Sequence, residues 1–229
     1  MCERMDHASP DGERLGGSTT AGARSCYNGD MSVALGRPQM TQDEFLAWAQ
    51  TRGVRYEFDG FQPVAMTGAS VNHNHIVRNI NRALYARLRG SGCYPMGPDD
   101  GVATIGDAIR YPDAVITCTR TLGTSHVVER PVVVFEVISP GNSAIDRITK
   151  VREYLAVPTI HTYVIVEQNS IGLTMLRRHD SNAWIAATLT ADDVLRLHEP
   201  DVDLPVAELY ETVDLPGIEP PNAGSVISN

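Results

Sequence analysis

Apolar residues recur along this chain in short unbroken runs and in one long helical stripe. The run Val132 to Ile138 is interrupted only by Glu136, and Tyr163-Val-Ile-Val166 forms a second such run within His161 to Glu167. Runs without alternation predict strands covered on both faces. Between Asn72 and Arg89, Ile76, Val77, Ile80, Leu84 and Leu88 recur at helical spacing, with His73 opening the same stripe. Arg78, Arg82, Arg89 and His75 fall on the opposite side, so the pattern predicts an amphipathic helix.

Local signals fill in the rest. Thr41-Gln-Asp-Glu44 is a capping box ahead of Phe45, Leu46 and Trp48, predicting a helix to about Thr51. Val54–Phe58 and Phe61–Met66 flank Asp59-Gly60, a hairpin signal. Gly101–Gly106 and Ile109–Cys118 read as two strands with a Gly106-Asp107 turn, and Thr121–Glu129 as a loop. Ser139-Pro-Gly-Asn-Ser143 breaks the central strand and caps a following helix that carries Lys150. Leu173–Arg178 and Ala183–Leu189 predict a hairpin, Val194–Leu197 a short strand, and Val206–Tyr210 a last helical turn. This order gives an α/β fold with a mixed β-sheet flanked by helices.

Composition adds boundaries. Residues 1–36 are rich in Gly, Ser, Asp and Arg without periodicity and are expected to be disordered, with Met31 or Met40 as alternative starts. Residues 37–212 form one domain, and 213–229 a flexible tail. No apolar run approaches the roughly 20 residues of a membrane span. Cys2, Cys26, Cys93 and Cys118 show no metal-type pairing, which predicts reduced thiols in a cytoplasmic protein. The net charge of −9 excludes a protein that coats nucleic acid indiscriminately. Yet residues 61–98 hold four arginines and no Asp or Glu, so a local basic face remains open. That stretch is either a solvated helix surface or a phosphate-contacting one.

The chemical content lies in three side chains. A carboxylate inside a buried strand is costly unless paired, hydrogen-bonded or metal-bound, and Glu136 is such a residue. Asp113 follows Pro112 on the preceding strand, and two carboxylates on neighbouring strands suit one hard divalent cation. Lys150 is the chain's only lysine, against 18 arginines. A compact ammonium is not interchangeable with a guanidinium fork. The plainer readings are a turn for Asp113, a core arginine partner for Glu136, and a helix salt bridge from Asp146 to Lys150.

Arg110-Tyr-Pro-Asp113, Val134-Phe-Glu136-Val-Ile-Ser-Pro140, and Asp146 and Tyr154 spaced four residues either side of Lys150 resemble the PD-(D/E)XK nuclease superfamily. Tyr56-Glu57, Ser70-Val-Asn-His73 and Tyr163–Val166 bring the likeness closer to its Uma-two branch, over roughly residues 40 to 198. The resemblance implies a restriction-endonuclease-like core and Mg²⁺ (or Mn²⁺) at Asp113 and Glu136. Lys150 and Glu57 complete the catalytic set, with Glu57 as a third carboxylate near the metal. It further implies cleavage of DNA phosphodiesters. Two sites suiting the two strands of a duplex predict a homodimer by analogy, and the carboxylate-free stretch predicts Arg78, Arg82, Arg89 and His73 facing the nucleic acid. Two departures stand out: Ile138 occupies the superfamily's usual lysine position, and Val157–His161 lacks the branch's glycine-containing turn. The alternatives are an inactive nucleic-acid-binding or structural module of the same fold, and a small-molecule hydrolase using the same metal.

Overall fold

The computed structural model describes residues 40–138, 144–179 and 183–215. The disorder expected of residues 1–36, the break at 139–143 and most of the expected tail lie outside these. Helix α1 (Gln42–Ala49) begins as its capping box dictates: Thr41 Oγ1 accepts from Glu44 N at 3.2 Å, and the Glu44 carboxylate accepts from Thr41 N at 2.7 Å. Strands β1 (Tyr56–Phe58) and β2 (Pro63–Ala65) form the hairpin. Its turn is longer than the Asp59-Gly60 pair suggests, because Asp59 Oδ1 accepts from the N–H groups of both Phe61 (2.8 Å) and Gln62 (2.7 Å). Gly60 sits at φ 88°, where a Cβ would drive into the Gly106 carbonyl.

Helix α2 (Val71–Leu88) starts from Ser70, whose hydroxyl accepts from His73 N at 3.1 Å. Strands β3 (Tyr94–Met96), β4 (Val102–Ala103), β5 (Ile109–Arg110), β6 (Ala114–Thr117) and β7 (Pro131–Ile138) follow. Then come α3 (Ala144–Ala156), β8 (Thr162–Glu167), β9 (Leu173–Arg178), β10 (Trp184–Leu189), β11 (Val194–Leu197), β12 (Val202–Pro205) and a 3₁₀ turn at Val206–Tyr210.

The six-stranded main sheet has the order β10-β9-β8-β7-β6-β3. Only β7 and β8 run parallel, linked through α3, so the sheet is mixed. Every residue of β7 is buried. Its odd positions, Val133, Phe135 and Val137, pack with Ile76, Ile80, Ala83, Leu84 and Leu88 of α2. Val134 packs instead with Tyr154 of α3, Ile160 and Tyr163. Strand alternation then puts Glu136 on the α3 face. A second sheet, β2-β1-β5-β4, closes over a small core of Phe45, Phe58 and Ile109.

Three expectations change. The two strands expected over 101–118 are shorter, split by a 3₁₀ turn at Ile105–Asp107 and by Pro112, which has no N–H for a ladder. That proline marks where the chain leaves the small sheet (β5) for the main one (β6), which puts Asp113 at the junction of the two. Strands β3 and β12 were not legible: both are short and contain a proline, and β3 is an edge strand, where proline is tolerated. Finally, Cys93 and Cys118 are not separate thiols. They lie one step beyond the Tyr94–Thr117 pair of the β3–β6 ladder and form a disulfide.

Candidate active site

Three pieces of the fold converge at the C-terminal half of β7. From the junction comes Asp113, whose backbone N donates to Phe135 O at 3.1 Å and whose Oδ2 accepts from Val137 N at 2.8 Å. The carboxylate is thus fastened to the strand beside it, which is more than the turn role open to it in sequence. From α2 comes His73, with Nε2 3.3 Å from the same Oδ2. Its Nδ1 is buried without a hydrogen-bond partner among the described residues. From β7 itself comes Glu136, whose Oε1 accepts from Tyr154 OH at 3.0 Å and Lys150 Nζ at 3.2 Å.

Lys150 has a second partner. Its Nζ is 2.9 Å from Glu57 Oε1, which the small sheet brings across on β1. The side chain of Asp146 is outside the described residues; the ammonium is occupied by Glu57 and Glu136 in any case. Glu57 is itself held on both oxygens: Arg110 Nη1 donates to Oε2 at 3.2 Å, and Tyr111 N to Oε1 at 3.4 Å. Arg110 then grips Glu153 through Nε (2.7 Å) and Nη2 (2.8 Å). The core arginine open as a partner for Glu136 therefore serves Glu57 and Glu153 instead.

The electrostatics follow from burial and charge count. Glu136 is pushed up to about 7, first by burial and then by the charges of Asp113 and Glu57, with Lys150 and the Tyr154 hydroxyl pulling the other way. Burial works against the Lys150 ammonium, but Glu136 and Glu57 outweigh it and hold the amine above its ordinary range. Burial also opposes a charged His73, and the hydrogen bond and charge of Asp113 reverse that, so its value rises. Burial, and then Glu136, keep Tyr154 protonated. Four carboxylates, Asp113, Glu136, Glu57 and Glu153, share Lys150, Arg110 and His73, which leaves the cluster short of positive charge.

A divalent cation would meet that shortage. No group of three His, Cys, Asp or Glu ready to hold a metal occurs among the described residues. Mg²⁺ does not need one, since it commonly takes one or two carboxylates and keeps several waters. Asp113 Oδ1 and Glu136 Oε2 accept no hydrogen bond among the described residues, whereas both Glu57 oxygens are engaged. The donor set thus fits a hard cation at Asp113 and Glu136, with Glu57 turned to the lysine.

The residues expected to face DNA part company. Arg78 and Arg89 are exposed, and no ion pair involves them among the described residues. Arg82 is bound to Glu211 at 2.5 Å, and the neighbouring Arg87 to Glu208 at 2.6 Å, both carboxylates coming from the 3₁₀ turn and its end. His73 points to Asp113. Arg110, Glu153 and Tyr154 have site roles that sequence reasoning did not assign. The signals for them were slight: Glu153 and Tyr154 lie three and four residues after Lys150, and Arg110 three before Asp113.

A mixed sheet with helices on both faces, and carboxylates and a lysine gathered at its central strand, defines a restriction-endonuclease-like core. The chain belongs to the Uma2 family, described as "Putative restriction endonuclease", whose model matches residues 42–207. A crystal structure from Anabaena variabilis, described as a "putative nuclease belonging to DUF820", shares the fold with a TM-score of 0.60. It is 12% identical and the match covers 75% of this chain and 97% of that one. Two uncharacterized proteins of Synechocystis sp. are also similar. One is 28% identical over 176 residues (76% of this chain, 92% of that protein). The other is 22% identical over 168 residues (71% and 94%). No helix among the described residues is long and apolar enough to cross a membrane.

Proposed function

We propose that this protein is a metal-dependent endonuclease that hydrolyses DNA phosphodiester bonds, acting as a homodimer so that two sites meet two strands. What supports the reading most is the meeting of Asp113, Glu136 and Lys150 at one end of β7, with Glu136 pushed up to about 7 in the absence of a cation. Mg²⁺ or Mn²⁺, held by Asp113 and Glu136, would supply Lewis-acid neutralisation of charge at phosphorus and an acidified water.

The chain's own residues do the remaining work. Val137 N and His73 fix one oxygen of Asp113, leaving the other to bind. Tyr154 fixes Glu136 in the same way. Lys150, kept charged by its two carboxylates, donates to a phosphoryl oxygen as negative charge develops there, or orients the attacking water. Glu57 positions that ammonium and is positioned in turn by Arg110. The test is nicking of supercoiled plasmid with Mg²⁺, with Mn²⁺ and with chelator, beside Glu136→Ala. Cleavage should require the metal and Glu136. A protein that binds the plasmid and leaves it intact under every condition is the inactive module instead.

A further inference from the structure

The basic helix α2 is only partly available to a polyanion, since Glu211 and Glu208 take two of its arginines. A different concave surface carries the chemistry that a nucleotide needs. It is a cavity of about 320 Å³ whose lining includes Gln50, Arg52, Arg55, Asp99, Tyr111 and His126. A volume near the roughly 300 Å³ lower bound for ligand pockets suits one small ligand.

Its two guanidinium groups lie over aromatic rings. Arg52 lies 4.4 Å over Trp48, and Arg55 lies 5.5 Å over Tyr111. A guanidinium over a ring gains cation–π attraction and keeps N–H donors for a phosphate. Arg55 spends part of its capacity on Asp99 (3.3 Å) and the Pro98 carbonyl, whereas Arg52 has no carboxylate partner among the described residues. Across the cavity, the Gln50 amide and His126 Nε2 are 3.0 Å apart and exposed, a donor–acceptor pair of the kind that reads a base edge. Positive charge beside an aromatic platform is the recurring answer to single-stranded nucleic acid.

The cavity also adjoins the reaction centre along the chain. Tyr111 lines it, while the same residue's N–H donates to Glu57. Asp113 is two residues on, so the two Cα atoms are at most about 7 Å apart.

We propose that this cavity binds one unstacked nucleotide, its phosphate on Arg52 and Arg55 and its base edge on Gln50 and His126, as a subsite for a single-stranded or frayed stretch of substrate. The choice of a DNA strand rests on the nuclease reading; the cavity's preference for a nucleotide does not. Binding is measured without divalent metal, in the full-length chain carrying Trp184→Phe, so that Trp48, against which Arg52 stacks, is the only tryptophan. Its fluorescence is followed on adding a 5′-phosphorylated single-stranded tetranucleotide, a mononucleotide or inorganic phosphate. The oligonucleotide should quench Trp48, and Arg52→Gln with Arg55→Gln should weaken its Kd by about tenfold or more at unchanged melting temperature. Quenching by the mononucleotide as well would show that a free nucleotide fits; quenching by the oligonucleotide alone would assign the cavity to a strand. Oligonucleotide binding unaltered by the double substitution would overturn the proposal, as would inorganic phosphate competing as strongly as the nucleotide. The test reads binding without divalent metal and not cleavage, so a chain that never cleaves DNA leaves it standing.

Discussion

Lys150 Nζ lies 2.9 Å from Glu57 Oε1, closer than its 3.2 Å to Glu136 on the central strand. The lysine is therefore anchored from the small sheet and aimed at the main one. With Arg110 on its other oxygen, Glu57 is committed on both oxygens to partners of the chain itself. Glu57→Gln should keep Mg²⁺ affinity within about twofold and lower the cleavage rate by about 10-fold to 100-fold through the misplaced lysine. Calorimetric Mg²⁺ titration beside single-turnover rates checks this. Loss of Mg²⁺ binding in that variant would return Glu57 to the metal.

Lys150→Arg should fold and bind metal yet lose on the order of 10² in rate, since a fork cannot sit between two carboxylates as a point charge does. Lys150→Met in the metal-free protein should destabilise by about 3 kcal/mol, the scale for breaking a buried pair, rather than the roughly 0.5 kcal/mol of a surface helix bridge. Denaturant melts separate these values readily. Near wild-type cleavage by Lys150→Arg would end the catalytic assignment.

The metal-free protein should lose stability as pH rises from about 4.5 to about 7. Folded Glu136 keeps its proton to about 7, while the unfolded chain gives it up near 4.5, so the folded state binds more protons in that window. The full effect is on the order of 3 kcal/mol. His73 acts in the same direction, because its raised value favours the folded state below 6.5 and that advantage disappears above. Saturating Mg²⁺ should flatten the slope, the cation replacing the proton. Melting temperatures at pH 5 and pH 8, with and without Mg²⁺, give the answer; a metal-free protein more stable at pH 8 would contradict it.

Arg110→Ala should be among the most damaging single changes, at about 3–5 kcal/mol, because it strips two buried carboxylates of one shared partner. Arg110→Lys should recover only part, lacking the two-pronged grip on Glu153. Chemical denaturation of both variants decides, and a cost under about 1 kcal/mol for Arg110→Ala would mean the network is not structural.

On α2, removing Arg78 and Arg89 together should lower the slope of log K against log salt for duplex DNA by about 1.8, two phosphate contacts at roughly 0.9 each. Arg82→Ala should change it less, its charge being offset by Glu211 at 2.5 Å. A larger effect from Arg82 would show that Glu211 yields to DNA.

Much of this was legible because the site interrupts simple patterns. Glu136 breaks an apolar run, Asp113 follows a proline, and Lys150 has no other lysine beside it, so each stands out without knowledge of its neighbours. The rest depends on contacts between distant segments. The carboxylate-free stretch 61–98 read as a bare basic face because Glu208 and Glu211, which neutralise half its arginines, arrive more than a hundred residues later. Arg110 and Glu153 look like any surface pair until the two sheets and α3 close over them. Pro95 and Pro205 argue against strands, yet one lies in an edge strand and the other ends one.

The solitary lysine has a practical corollary. Feeding isotopically labelled lysine during expression would place one side-chain spin pair in the whole chain, and it would sit between Glu57 and Glu136. A single ammonium resonance would then report titration, cation arrival and phosphate contact at the site, with no other side-chain amine to assign.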